Sequence, residues 1–267
     1  MVRGRSRREG RTIEAGGVTA LLVRKRVKNL TLRVYPPDGR VEVSAPLRMP
    51  ERAVVDALVA RRDWIERHRR RFAAAASQGR LRLEDGERLA VLGETMELRF
   101  VDGRVGSSAT SRLGSPAPTE PAAPLLVPTP RGAGRSARLE ALREILRGVA
   151  RREFASEVER WSRLMDVPVP TVQVRRMTSR WGTCHVRAGK VVLNLALVTR
   201  PRRSLEYVVV HELAHLLVPD HSPRFWAVVS RRLPGWREAR AELAERPLWA
   251  DPVWGRSAEL DEVEEAG

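Results

Sequence analysis

Two histidines stand four positions apart in the run Val208-Val209-Val210-His211-Glu212-Leu213-Ala214-His215-Leu216-Leu217. On a helix that spacing puts both imidazoles on one face, a turn apart, where they can grip one metal ion. Glu212 follows His211 directly and is rotated about 100° from it. Its carboxylate can therefore take a proton from a water at the metal without becoming a ligand. A hydrolytic centre of this kind uses three protein ligands and leaves one position open. His221 is the candidate third ligand, with Pro219 placed to take the chain out of the helix and turn it back. Three of the five histidines of the chain fall between 211 and 221. The expectation is one Zn2+ per chain on His211, His215 and His221, with Glu212 as general base. Imidazole also suits Cu, Ni and Fe, so zinc is an inference from ligand type. Glu206 and Asp220 are candidates for orienting a ligand imidazole.

Several elements must position these residues. The apolar flanks of the histidine pair read as a helix over about Ser204–Leu217. Ahead of it, Gly189–Val198 alternates, Val191, Leu193, Leu195 and Leu197 against Val192, Asn194 and Ala196, and reads as a strand. Thr171–Met177 is a second strand. A long helix is expected from about Arg138 to Leu164, its apolar face marked by Leu139, Leu142, Ile145, Leu146 and Val149. Further helices begin near Ser222 and Trp236. In the N-terminal part, Val18–Val27, Leu30–Tyr35 and Arg40–Ala45 read as strands, with a turn at Pro36-Pro37-Asp38-Gly39. Pro50 opens a helix to about Ala76. Leu89–Leu92 and Met96–Val101 read as a hairpin joined at Gly93.

Composition bounds the rest. The chain has 267 residues, ample for a buried core. No apolar stretch approaches the roughly 20 residues of a membrane helix, and no apolar segment follows the arginine-rich start, so no membrane partner and a cytoplasmic location are expected. The lone Cys184 excludes a disulfide framework and reads as a small buried hydrophobe. His68 and His185 read as surface residues. The net charge of +16 comes from 49 basic residues, of which only Lys25, Lys28 and Lys190 are lysines. Basic charge favours acidic partners, so nucleic acid is a candidate partner of the N-terminal half. The segment Gly103–Gly134 holds six prolines between Pro116 and Pro130 and no aromatic residue. The expected organisation is a disordered basic N-terminus (1–17), a β-rich plus helix region (18–102), a Pro/Ser/Gly-rich linker or insert (103–137), a domain bearing the metal helix (138–247) and an acidic tail (248–267), frayed after Trp254.

Longer motifs point to a family. Arg176-Met177-Thr178-Ser179-Arg180-Trp181-Gly182-Thr183-Cys184 resembles the R-x-K-S-R-W-G-S-C signature of the YgjP/SprT-like zinc metallopeptidases. Tyr207–His215 followed by His221-Ser222-Pro223-Arg224-Phe225-Trp226 is similar to that family's metal-helix segment. Lys28-Asn29-Leu30-Thr31-Leu32-Arg33-Val34 and Ala60-Arg61-Arg62-Asp63-Trp64-Ile65 also resemble its N-terminal patterns. Thr178 stands where the family has lysine, and Ala214 where it often has cysteine. The H-E-x-x-H-x5-H spacing is also similar to the metzincin pattern, but Val218 sits where that pattern has glycine.

The resemblance implies an α+β fold, a zincin-like minimal metalloprotease domain with its active-site helix against a small mixed sheet, preceded by the small N-terminal region. It implies a zinc-dependent peptidase acting on protein or peptide substrates. The strand Gly189–Val198 would then rim the cleft, and an extended peptide could add to its edge. Arg180, Trp181 and Asn194 are the candidate substrate-binding residues. Two other functions fit the same residues: metal-dependent hydrolysis of a nucleotide phosphoanhydride, which lacks a phosphate-binding glycine loop, and a nucleic-acid-associated protease or binding module. The sequence sets no oligomeric state.

Overall fold

The computed structural model describes residues 10–36, 38–77, 81–103 and 124–255. The chain divides into two compact units, residues 1–79 and 80–267. Among the described residues no helix is long and apolar enough to cross a membrane.

Unit 1 is a four-stranded sheet covered by two helices. Strands β1 (Arg11–Ala15), β2 (Val18–Lys25), β3 (Thr31–Tyr35) and β4 (Arg40–Pro46) lie in the order β1-β2-β4-β3. The β3–β4 turn closes with Gly39 at φ 69°, a left-handed conformation that glycine adopts at no steric cost, and its N–H donates to Tyr35 O. Helices α1 (Glu51–Ala60) and α2 (Arg62–Ser77) follow. The expected single helix breaks at Arg61, whose φ of −109° and ψ of 11° end α1. The break lets Val54 and Leu58 of α1 and Ile65 of α2 reach one core with Val41 and Val43 of the central strands. Residues 11–15, expected in a disordered terminus, instead form β1. Ile13 and Ala15 alternate into this core, and two buried side chains are enough to hold a strand against β2.

Unit 2 contains two three-stranded mixed sheets around a long helix. The first has β5 (Arg88–Val91), β6 (Glu94–Asp102) and β7 (Pro124–Thr129) in the order β5-β6-β7, with β7 parallel to β6. Two boundaries therefore differ from expectation. The hairpin β5–β6 belongs with the second unit, because Leu89, Val91, Met96 and Leu98 share a core with Leu139 and Leu142. The proline-rich segment also ends in a strand, whose Leu125 and Val127 are buried. Its prolines fit because β7 is outermost, and a missing N–H is tolerated on an edge strand.

Helix α3 (Arg135–Met165) is the spine of unit 2, ending on Asp166 in the left-handed region. The second sheet has β8 (Thr171–Arg175), β9 (Gly182–His185) and β10 (Lys190–Asn194) in the order β8-β10-β9, parallel on one side of β10 and antiparallel on the other. The expected strand through Val198 stops at Asn194 and continues as a 3-10 turn, Leu195–Thr199. Helices α4 (Arg202–Ala214), α5 (Pro223–Arg232) and α6 (Trp236–Glu245) follow.

Residues 248–255, expected as the start of an acidic tail, pack into unit 2 instead. Val253 and Trp254 are buried in the core, and Asp251 is fully buried. The Asp251 carboxylate pairs with Arg200 at 3.1 Å and accepts bonds from Thr199 Oγ1 and from the N–H groups of Val253 and Trp254. Arg143 and Arg176 donate to the carbonyls of Val253 and Trp254. The acidic residues beyond Gly255 lie outside the described residues, as do residues 1–9 and 104–123.

Candidate active site

The site is built on α4 and the turn that follows it. Tyr207 to Val210 are all buried, so this stretch of helix is apolar on every side, as a helix inside a core must be. α4 ends at Ala214, and a tight turn carries the chain to Val218, whose N–H donates to Ala214 O. Beyond Pro219, Asp220 Oδ1 accepts from Ser222 N–H at 3.3 Å and starts α5. This reversal returns His221 to the helix. Its Nε2 lies 3.1 Å from His211 Nε2. The ring of His215 lies 5.1 Å from that of His211 and 4.7 Å from that of His221, centroid to centroid. Fully buried Phe225 forms the floor, 4.6 to 5.0 Å from all three imidazoles. Trp226 walls His211 and His221 at 5.9 Å and stacks on Trp236.

These residues fit a single metal ion. Tetrahedral coordination by nitrogen at about 2.0–2.1 Å sets ligand atoms about 3.3 Å apart. The His211–His221 separation is close to that value, and one ligand nitrogen from each histidine lies within 4.8 Å of the others. Burial, then the charges of His215 and His221, pull the His211 pKa down to about 4, so its ring is neutral at pH 7 with a lone pair to donate. Burial and His221 also lower that of His215. His211 Nδ1 is buried with no hydrogen-bond partner among the described residues. The two acidic residues expected to orient a ligand ring do other work. Glu206 pairs with Arg160 at 2.6 Å, and Asp220 caps the turn before α5.

Glu212 leaves α4 toward β9 and is only 6% exposed. Burial pushes its pKa up to about 7, against the downward pull of the Cys184 N–H and the Arg180 charge. The close approach depends on Gly182: a Cβ there would lie 2.6 Å from Glu212 Oε1. Sequence reasoning missed this glycine as a functional position, although it lies inside the Arg180-Trp181-Gly182 motif. Cys184 is half-buried, and burial followed by Glu212 raises its thiol pKa to about 11. His185 is exposed and stands apart from the three-histidine cluster.

The three candidate substrate residues separate. Arg180 is exposed at the entry to β9, and its charge acts on Glu212. Trp181 is half-buried with the Arg200 guanidinium 5.4 Å from its ring centroid. Asn194, by contrast, is fully buried. Its amide donates to Met177 O and Arg180 O and accepts from Ala196 N–H. It ties the motif loop to β10 and cannot meet a substrate. A second expectation also changes: β10 is the central strand, hydrogen-bonded on both sides, so its edge is closed. The outer edge next to Glu212 belongs to β9.

The model of the family described as YgjP-like, metallopeptidase domain, matches residues 28–246. Among solved structures, the chain is similar to the metallopeptidase zymogen of Pyrococcus abyssi, abylysin, with 23% identity over 34% of this chain and 90% of that one and a TM-score of 0.32. No curated protein matches the chain in sequence.

Proposed function

The chain belongs to the YgjP-like metallopeptidase family and is a peptide-bond hydrolase, and from that premise we propose a zinc-dependent mechanism run by His211, His215, His221 and Glu212. The observation that carries it is the convergence of three imidazole nitrogens beside one buried carboxylate. The layout is zincin-like: α4 lies against the mixed sheet β8-β10-β9, and the return turn adds the third histidine. When bound, Zn2+ supplies Lewis acidity, polarising the scissile carbonyl and lowering the pKa of water toward neutrality. Glu212 accepts the proton of the attacking water and delivers it to the leaving amine nitrogen.

The substrate lies extended along the outer edge of β9, its backbone paired with the outward-facing groups that Glu212, bonded to the Cys184 N–H, leaves free. Arg180 stands at the head of that edge and holds a substrate carbonyl. Trp181, held by Arg200, walls the same end.

The test is metal content by ICP-MS together with casein hydrolysis. One zinc per chain is expected in the wild type and in Glu212→Gln, and much less in His221→Ala, with hydrolysis lost in both variants. A Glu212→Gln chain that cleaves at the wild-type rate overturns Glu212 as the base. Pyrophosphate release from a nucleoside triphosphate without peptide cleavage moves the centre to phosphoanhydride chemistry.

A further inference from the structure

Two sequence motifs take no part in the metal site: the stretch around Leu30-Thr31-Leu32 and the stretch Ala60–Ile65. In unit 1 they meet. A groove of about 520 Å3 is lined by Leu30, Thr31 and Leu32 on one side and by Arg61, Trp64 and Arg67 on the other. Successive side chains of a strand point to opposite faces, so Thr31 and Leu32, the first two residues of β3, line one groove along the strand edge, with Leu30 just ahead of them. That edge is open, because β3 is the outermost strand of its sheet. The groove therefore offers a row of backbone donors and acceptors, apolar walls from the two leucines and Trp64, and two guanidinium groups.

The charge is unbalanced. Residues 1–79 carry 19 basic and 8 acidic side chains, a net +11 of the chain's +16. The ion pairs of unit 1 join Arg11 to Glu51, Lys25 to Glu42 and Arg69 to Glu66. Arg61 and Arg67 are exposed and take part in no ion pair among the described residues. An occupant must pair with a strand edge, place apolar groups on the leucines and bring anions to the two arginines.

We propose that this groove binds an extended acidic peptide segment, added as a strand to β3, with its carboxylates on Arg61 and Arg67 and its apolar side chains against Leu30, Leu32 and Trp64. Charge complementarity selects an acidic partner, and the strand edge selects a polypeptide. Asp63 lies in the same lining. Its carboxylate disfavours a continuous phosphate chain, whereas a peptide can space its acidic groups around it. The binding itself stands on unit 1 alone. Its role, capture of acidic segments of protein substrates, rests on the peptidase reading.

The test uses the full-length Glu212→Gln chain, so that the probe is not consumed, and fluorescence anisotropy of a labelled peptide of alternating glutamate and valine. Saturable binding is expected, weakening about tenfold or more as salt rises from about 50 mM to about 0.5 M. Arg61→Glu with Arg67→Glu should lose at least about tenfold in affinity, and Arg61→Gln with Arg67→Gln should fall between. A matching lysine–valine peptide should not bind. Equal affinity in parent and charge-reversed chains overturns the proposal. So does oligothymidylate that binds more tightly and displaces the peptide, which makes the groove a nucleic-acid site. Because the readout is binding, its failure is separate from any failure of peptide hydrolysis.

Discussion

Replacing Gly182 by alanine adds one carbon between β9 and the carboxylate of Glu212. The three nearest heavy atoms to that carbon all belong to Glu212: Oε1 at 2.6 Å, Cγ at 2.8 Å and Cδ at 2.9 Å. Ordinary contact begins at 3.4 Å, so the carboxylate must retreat by about 0.8 Å. Gly182 does not have a positive φ, so alanine brings no backbone strain and the effect is steric alone. Glu212 has little room to yield, being 6% exposed and packed between α4 and β9. A displacement near 1 Å of a catalytic group costs on the order of 100-fold in rate. Gly182→Ala should therefore lower kcat/KM for a peptide by about 100-fold, about 2.7 kcal/mol of transition-state stabilisation. Zinc content should stay at the wild-type level, because none of the histidines is among the atoms crowded. The assay is initial-rate hydrolysis of a quenched fluorescent peptide on protein matched for zinc by ICP-MS. Activity within threefold of wild type would refute the assignment of Glu212 as a base held in place by β9.

Three further outcomes can be checked. In zinc-free protein, folding lifts the Glu212 pKa from 4.5 to about 7, so the folded chain binds the extra proton and stability falls as pH rises through that window. Glu212→Gln should match the parent near pH 4.5 and exceed it by up to about 3 kcal/mol above pH 7 in urea titrations. The opposite slope from His211 largely cancels in the difference, so a constant gap contradicts the reasoning. Asp251→Ala leaves Arg200 buried without its counter-ion and should destabilise the chain by about 3–5 kcal/mol, lowering Tm by about 10 °C or more. A change of under about 1 kcal/mol by calorimetry means that the pair is relaxed by water. Gly148→Ala, inside α3 with open space around it, should raise stability by about 0.5–1 kcal/mol, seen as a Tm higher by a few degrees. No gain would place an unseen constraint on that helix face.

The convergence of three histidines was legible because its signal is local: His211, His215 and His221 are tied by one helical turn and one reversal at Pro219. The helices were legible for the same reason, since Leu139 through Val149 repeat at helical spacing. What failed depends on neighbours that one strand does not display. Alternation showed that Asn194 lies in a strand, but not that Met177 and Arg180 offer it carbonyls. It also could not show that β10 has partners on both sides. β7 was hidden because Pro124 and Pro128 argue against a strand until the strand is known to be outermost. Residues 248–255 read as a tail because the residues that bury them, Arg143, Arg176 and Arg200, lie 51 to 110 positions earlier in the chain. The role of Gly182 was invisible because a missing side chain has meaning only against the atom that approaches it.

Two of the edge strands, β7 and β9, also differ in how they meet other copies of the chain. β7 carries proline at two of its six positions, which removes donors and ends the ladder. β9 has no proline, so the part of its outer edge that Glu212 does not occupy can pair with a strand, including the β9 of a second molecule. Arg180 and Arg187, both exposed, flank it with like charge. At low ionic strength that charge keeps copies apart; at high ionic strength the repulsion is screened and the unoccupied part of the edge is left. Concentrated stocks of this protein should therefore self-associate more as salt is raised, the reverse of what a chain held together by ion pairs would do.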